Sequence, residues 1–233
     1  MTFNGFKKEG IEFLIDLEMN NTKVWFENNR YIWEEHILKP NVAFVEEMGE
    51  TLEMLVPMIN AKPKVSGSLF KIYRDTRFSK DKTPMKDKIG IIFWQGGAHR
   101  MQSTSYYFFY NIEQYYIATG IRTFKPPLLK AYRKYIQNKT NAKNLHQILE
   151  DIKQKGYQLP EPKYKRLPQG FKEGDEYSYL SKYNAIFGFQ TYPLHEINDD
   201  FYSEKIVDKA FKVFQDMDNL REWLYQLTLT VED

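Results

Sequence analysis

Residues 89–119 read IGIIFWQGGAHRMQSTSYYFFYNIEQYYIAT, a run of short apolar and aromatic segments broken by polar turns. Ile89–Trp94 is short, apolar and closed by Gln95-Gly96-Gly97. Residues 103–112 (STSYYFFYNI) are rich in serine, threonine and aromatics, the side chains that fit a pleated surface. Residues 115–119 supply a further strand. Polar turns and a Gly-Gly pair separate these runs, and no helical segment lies between them to form a parallel crossover. The natural arrangement is an antiparallel meander.

On the N-terminal side, residues 65–78 lose the helical period, and Leu69, Phe70, Ile72, Tyr73 and Phe78 favour an extended segment. Residues 1–60 read as three helices. Phe6, Gly10, Phe13, Leu14 and Leu17 recur at three and four. Asn20-Asn21-Thr22 offers N-caps for a second helix, whose stripe is Trp25, Phe26, Ile32, Trp33 and Ile37. Pro40 ends or restarts it, and Val42, Val45, Met48, Leu52 and Leu55 carry the period to Pro57. Beyond Pro126-Pro127, Leu128, Leu129, Tyr132 and Ile136 form one stripe, and Leu145, Ile148, Leu149 and Ile152 another. Residues 159–174, with three prolines and two glycines, form a long ordered loop. Residues 183–192 make one further strand, and 203–231 are helical. The order predicts an α+β fold. One domain over 1–233 is expected, helical over 1–60, strand-rich over 61–123, then helices with a long loop and one strand over 124–233. A central, mainly antiparallel sheet of four to six strands packs against N-terminal and C-terminal helices.

Composition excludes much chemistry. With 42% apolar and 27% charged residues the chain is an ordinary folded protein, and its 233 residues suffice for a sizeable core. Cysteine is absent, which removes disulfides, thiolate zinc sites, iron-sulfur clusters and a cysteine nucleophile. His36, His99, His146 and His195 lie far apart with no paired spacing, so no metal and no cofactor is expected. A phosphate-binding glycine loop, a G-x-S-x-G elbow and a Ser-x-x-Lys motif are all missing. Residues 1–10 lack the apolar core of a signal peptide, and the longest apolar run, 106–110, is far short of the roughly 18 residues of a membrane span. A cytoplasmic protein, monomeric or a small homo-oligomer and without a membrane partner, is expected.

Net charge is only +2, yet it is unevenly spread. Residues 1–61 carry 5 basic and 11 acidic side chains, 62–172 carry 23 and 7, and 173–233 carry 5 and 13. The basic middle either serves an anionic partner or is neutralised by the acidic flanks. Its densest cluster is KIYRDTRFSKDKTP, residues 71–84. Strand alternation puts Phe70, Ile72, Arg74, Thr76 and Phe78 on one face and Lys71, Tyr73, Asp75 and Arg77 on the other. Arg74 then shares the apolar face and must meet either a carboxylate from the N-terminal helices or an anion. Thr83-Pro84 resembles a helix start that would add backbone N–H groups to an anion site.

Three function classes follow. The leading one is a small-molecule enzyme or binding protein with a phosphate or carboxylate on Arg74, Arg77 and Lys82, extended by Lys71 and Lys86, with Asp75 as the candidate catalytic residue. The alternative is a structural or interaction protein whose cluster is an internal ion-pair network. A nucleic-acid binder, using Tyr106, Tyr107, Tyr110, Tyr115 and Tyr116 as a stacking platform, is the least favoured.

Residues 71–85, with Phe13-Leu14, Asn20-Asn21, Trp25-Phe26 and Arg30 upstream, resemble the bacterial domain of unknown function 2461 family. Its signature runs Arg-x-x-Arg-Asp-x-Arg-Phe, then Asp-Lys-x-x-Tyr. Arg74, Asp75, Arg77, Phe78, Asp81 and Lys82 match it, while Lys71 stands for the first arginine and Met85 for the tyrosine. Residues 128–136 with Arg133, and 167–171 (LPQGF), are similar too, and the resemblance adds Arg133 to the candidate ligand-binding residues. In relatives the Pro-x-Gly-Phe segment leads into Asp-His-Pro, where this chain has Glu173-Gly174-Asp175-Glu176-Tyr177. The resemblance implies no activity, because the family has none assigned.

Overall fold

The computed structural model describes residues 2–194 and 200–231, so His195 lies outside the described residues. Helix α1 (Lys8–Met19) buries Gly10, Phe13, Leu14 and Leu17, the stripe its sequence carries. Helix α2 (Lys23–Asn28) starts at Thr22, whose hydroxyl accepts the Trp25 N–H at 3.2 Å. Phe26 is fully buried, while Trp25 is only half-buried and lies against Phe13 with ring centroids 5.4 Å apart. Helix α3 (Arg30–Trp33) passes through a π-helical turn, Glu34–Leu38, into α4 (Lys39–Leu52). Pro40 therefore neither ends nor restarts the helix. It has no N–H for the His36 carbonyl, and the Lys39 N–H reaches back to Glu34, one residue further than α geometry.

Strands β1 (Ile89–Trp94), β2 (Ser105–Tyr110), β3 (Gln114–Ile121) and β4 (Ile186–Pro193) form one antiparallel sheet in that order. The connection from β3 to β4 carries α5 (Pro126–Gln137), α6 (Lys139–Gln154) and the proline-rich loop, and α7 (Lys205–Asp216) and α8 (Asp218–Thr228) follow β4. Gly120 in β3 has φ +139°, and a Cβ there would stand 2.3 Å from the Ile186 carbonyl oxygen of β4. The close approach of those two backbones requires glycine.

Residues 65–78 are not a regular strand. They make isolated bridges, Leu69 with Ile91 and Tyr73 with Met85. The Arg74 N–H donates to the Pro84 carbonyl at 2.8 Å, but Pro84 has no N–H to return, and the ladder breaks. No helix starts at Thr83-Pro84 either. Tyr106, Tyr107, Tyr110 and Tyr115 are buried and Tyr116 half-buried, so they build core rather than an open stacking platform.

The chain clusters into two compact units. Unit 1 comprises Met1–Phe93, Tyr107–Ile117 and Thr191–Lys212. Its core centres on Phe6, whose ring lies 4.7 Å from Phe201, 5.2 Å from Phe44 and 5.4 Å from Phe108. Unit 2 comprises Trp94–Tyr106, Ala118–Gln190 and Val213–Asp233. There Tyr132 is fully buried, its hydroxyl donating to the Leu180 carbonyl at 2.8 Å and its ring 4.9 Å from Phe124.

Candidate functional site

The arginine cluster belongs to unit 1, and the alternation read from it persists for most of its length. Ile72 is buried and Phe70, Arg74 and Thr76 are half-buried, while Lys71, Tyr73, Asp75 and Arg77 are exposed. The pattern ends at Phe78, which is 96% exposed rather than part of the apolar face. Arg74 is shielded, its side chain 28% exposed against 77% for Arg77. Its partner is Asp81 of the same segment, not a glutamate of the N-terminal helices.

The charges of Arg74, Asp75, Arg77, Asp81, Lys82 and Lys86 are answered locally. Asp75 accepts from Arg77 Nε at 2.9 Å and from its Nη2 at 2.7 Å. Those bonds, with the Arg77 backbone N–H, lower the Asp75 pKa from 3.8 to about 2, far from what a general base needs near neutral pH. Asp81 is held well below the usual carboxylate range by the Thr83 hydroxyl and N–H and by Arg74. Lys82 Nζ donates to the Thr76 carbonyl at 2.9 Å, and Lys86 Nζ to the Lys71 carbonyl at 2.5 Å. Glu27 of α2 accepts from both Arg30 and the Tyr73 hydroxyl. Asn21 clasps Met85, donating to its carbonyl at 3.2 Å and accepting its N–H at 3.0 Å. Arg74 lines a cleft of about 430 Å³ in which Arg74, Lys86 and Lys88 face Glu18, Asp81 and Asp87. Arg77 and Lys82 are not in that lining.

Arg133 belongs to unit 2 and lines a different cleft, of about 640 Å³. Helix α5 places it there: Leu128, Tyr132 and Ile136 bury one face, which turns Lys130, Arg133 and Lys134 toward the cleft. The opposite wall is the proline-rich loop, with Lys163, Tyr164, Gln169 and Phe171. That loop is anchored by the Tyr164 N–H donating to the Lys182 carbonyl at 3.0 Å. The Arg133 guanidinium carbon lies 5.0 Å from the Tyr164 ring centroid, and Nε is buried without a hydrogen-bond acceptor. All charged residues in this lining are basic. The two downstream segments singled out in the sequence, 128–136 and 167–171, thus meet across one cleft.

A buried polar network in unit 2 escaped the sequence reading. Arg221, 4% exposed, donates through Nε to Asp218 at 2.5 Å, through Nη2 to Glu222 at 3.0 Å, and through Nη1 to Gln95. The Tyr106 hydroxyl donates to the same Asp218, and burial together with that carboxylate raises the phenol well above its ordinary pKa. Asp218 and Arg221, three apart in a helix with an apolar face, were the available signal. Among the described residues no group of three or more acidic or histidine side chains is placed to hold a metal ion, and no helix is long and apolar enough to cross a membrane.

No curated protein matches the sequence. A family model described as a conserved hypothetical protein, DUF2461, matches residues 9–223, nearly the whole of both units. By that match, the chain belongs to the domain of unknown function 2461 family.

Proposed function

We propose that this protein binds a small organic anion, a phosphate or carboxylate, in the Arg133 cleft. The observation that carries the reading is Arg133 Nε, buried without an acceptor in a cleft whose charged lining is entirely cationic. An unsatisfied buried donor costs about 1–3 kcal/mol, more when charged. A bound anion relieves that cost, and a planar guanidinium donates to phosphate or carboxylate in a paired geometry.

The Arg74–Asp81 and Asp75–Arg77 pairs favour the second reading for their own segment. An anion on Arg77 would have to displace two bonds to Asp75. The segment is better matched to an internal ion-pair network that holds residues 73–85 beside Asn21 and Glu27.

Titration calorimetry with phosphate, sulfate and citrate tests the assignment. Binding should be lost in Arg133→Met and weakened in Lys163→Gln, with Arg74→Met and Arg77→Met unaffected. Loss of binding in the Arg74 or Arg77 variant, with Arg133→Met unchanged, would return the site to unit 1.

A further inference from the structure

We infer that the anion of the Arg133 cleft carries a flat heteroaromatic ring, the chemistry of a nucleoside 5′-phosphate; this rests on the anion-binding reading above. Size comes first. The cleft holds about 640 Å³, inside the range of about 300–1,000 Å³ typical of sites for organic ligands. Inorganic phosphate alone would leave most of it to water.

The lining divides by chemistry. Cations are supplied by Lys130, Arg133 and Lys134 on α5 and Lys163 on the loop, while Phe171 and Tyr164 give flat apolar surface. The Arg133 guanidinium already lies over one face of Tyr164. Guanidinium planes and aromatic rings are both surfaces on which nucleobases stack.

The remaining polar groups distinguish a base from a hydrocarbon ring. Gln137, Gln169 and Asn184 bring three carboxamides to the lining. Each carries a donor and an acceptor on one group. A phenyl or alkyl body has nothing to exchange with them, whereas the edge of a purine or pyrimidine presents donors and acceptors in alternation. Gln137 is held close to the loop: its Nε2 lies 3.1 Å from where a Cβ on Gly170 would stand, and Gly170 has φ +92°. A side chain there would crowd that amide and would strain a backbone at positive φ.

Calorimetry on the full chain with phosphate, ribose 5-phosphate, AMP, UMP and adenosine tests the inference. At least one of AMP and UMP should bind about tenfold more tightly than ribose 5-phosphate, the scale of one base stacked on an aromatic side chain. Phe171→Ala should bring that nucleotide to the level of ribose 5-phosphate without changing the latter, and Lys163→Gln should weaken every phosphate and leave adenosine unchanged. If ribose 5-phosphate matches both nucleotides, the ring is wrong while the anion site stands. If no phosphate compound binds, the anion reading itself fails and takes this inference with it. Adenosine binding as tightly as AMP would overturn the phosphate half.

Discussion

Arg74 and Arg221 both pair with an aspartate, and exposure alone should make them answer mutation differently. Arg74 and Asp81 have side chains 28% and 57% exposed, so water already screens the pair. Such pairs contribute about 0.2–1 kcal/mol. Arg221 is 4% exposed and its loss would leave the Asp218 carboxylate, shared with Tyr106, short of its cation. Breaking a buried pair from one side costs about 3–5 kcal/mol. Chemical denaturation of Arg74→Met and Arg221→Met should separate these values, and equal losses would refute the ranking. Asp75 makes a second test. Arg77 lowers its pKa from 3.8 to about 2, so the pair adds stability above the unfolded value and loses it as pH falls through about 2. A carboxyl titration followed by NMR should give a midpoint near 2 for Asp75; a midpoint at 3.8 would mean that the pair does not persist in solution.

Helix α6 depends on its cap. Asn138 Oδ1 accepts the Thr140 N–H at 2.9 Å and the Asn141 N–H at 3.2 Å, two donors that the helix cannot satisfy itself. Asn138→Ala should cost about 1 kcal/mol, with Asn138→Asp restoring most of it; a neutral alanine variant would show that water serves equally well. Elements with a strong period were legible from sequence: the stripes of α1 and α5 and the three strand runs of residues 89–119 stand where their patterns put them. Alternation through Thr76 was legible too, since burial follows period two regardless of ladder regularity. What failed depended on backbone donors rather than on hydrophobicity. Pro84 interrupts a ladder that Ile72 and Tyr73 had suggested, and Pro40 shifts a helix into a π turn instead of ending it. Family likeness marks Arg133, but its meeting with residues 163–171 depends on a loop path that no local pattern specifies. Arg221 stayed hidden because an arginine three residues from an aspartate usually marks a solvated helix face.

For the whole molecule, charge and connectivity argue at different levels. The basic middle of the sequence is divided by the fold: unit 2 contains 16 basic and 11 acidic side chains, unit 1 contains 17 and 20. The positive balance therefore goes with the unit that holds the Arg133 cleft, although the last stretch of chain brings acidic residues into it. Connectivity bears on how the chain melts. Each unit is assembled from three segments, and β1, β2, β3, β4 and α7 all contribute residues to both. No single chain cut frees one unit, and neither can unfold without removing part of every strand from its ladder. A strand shortened in that way loses hydrogen bonds and cross-strand packing along its remaining length. We predict one cooperative transition, with calorimetric and van't Hoff enthalpies equal. Gly120→Ala is the sharper probe, because it forces the β3 and β4 backbones apart where a Cβ would lie 2.3 Å from the Ile186 oxygen. It should lower the temperature of that one transition without splitting it. Two resolved peaks, in the parent protein or in the variant, would mean that the units melt independently despite their shared strands.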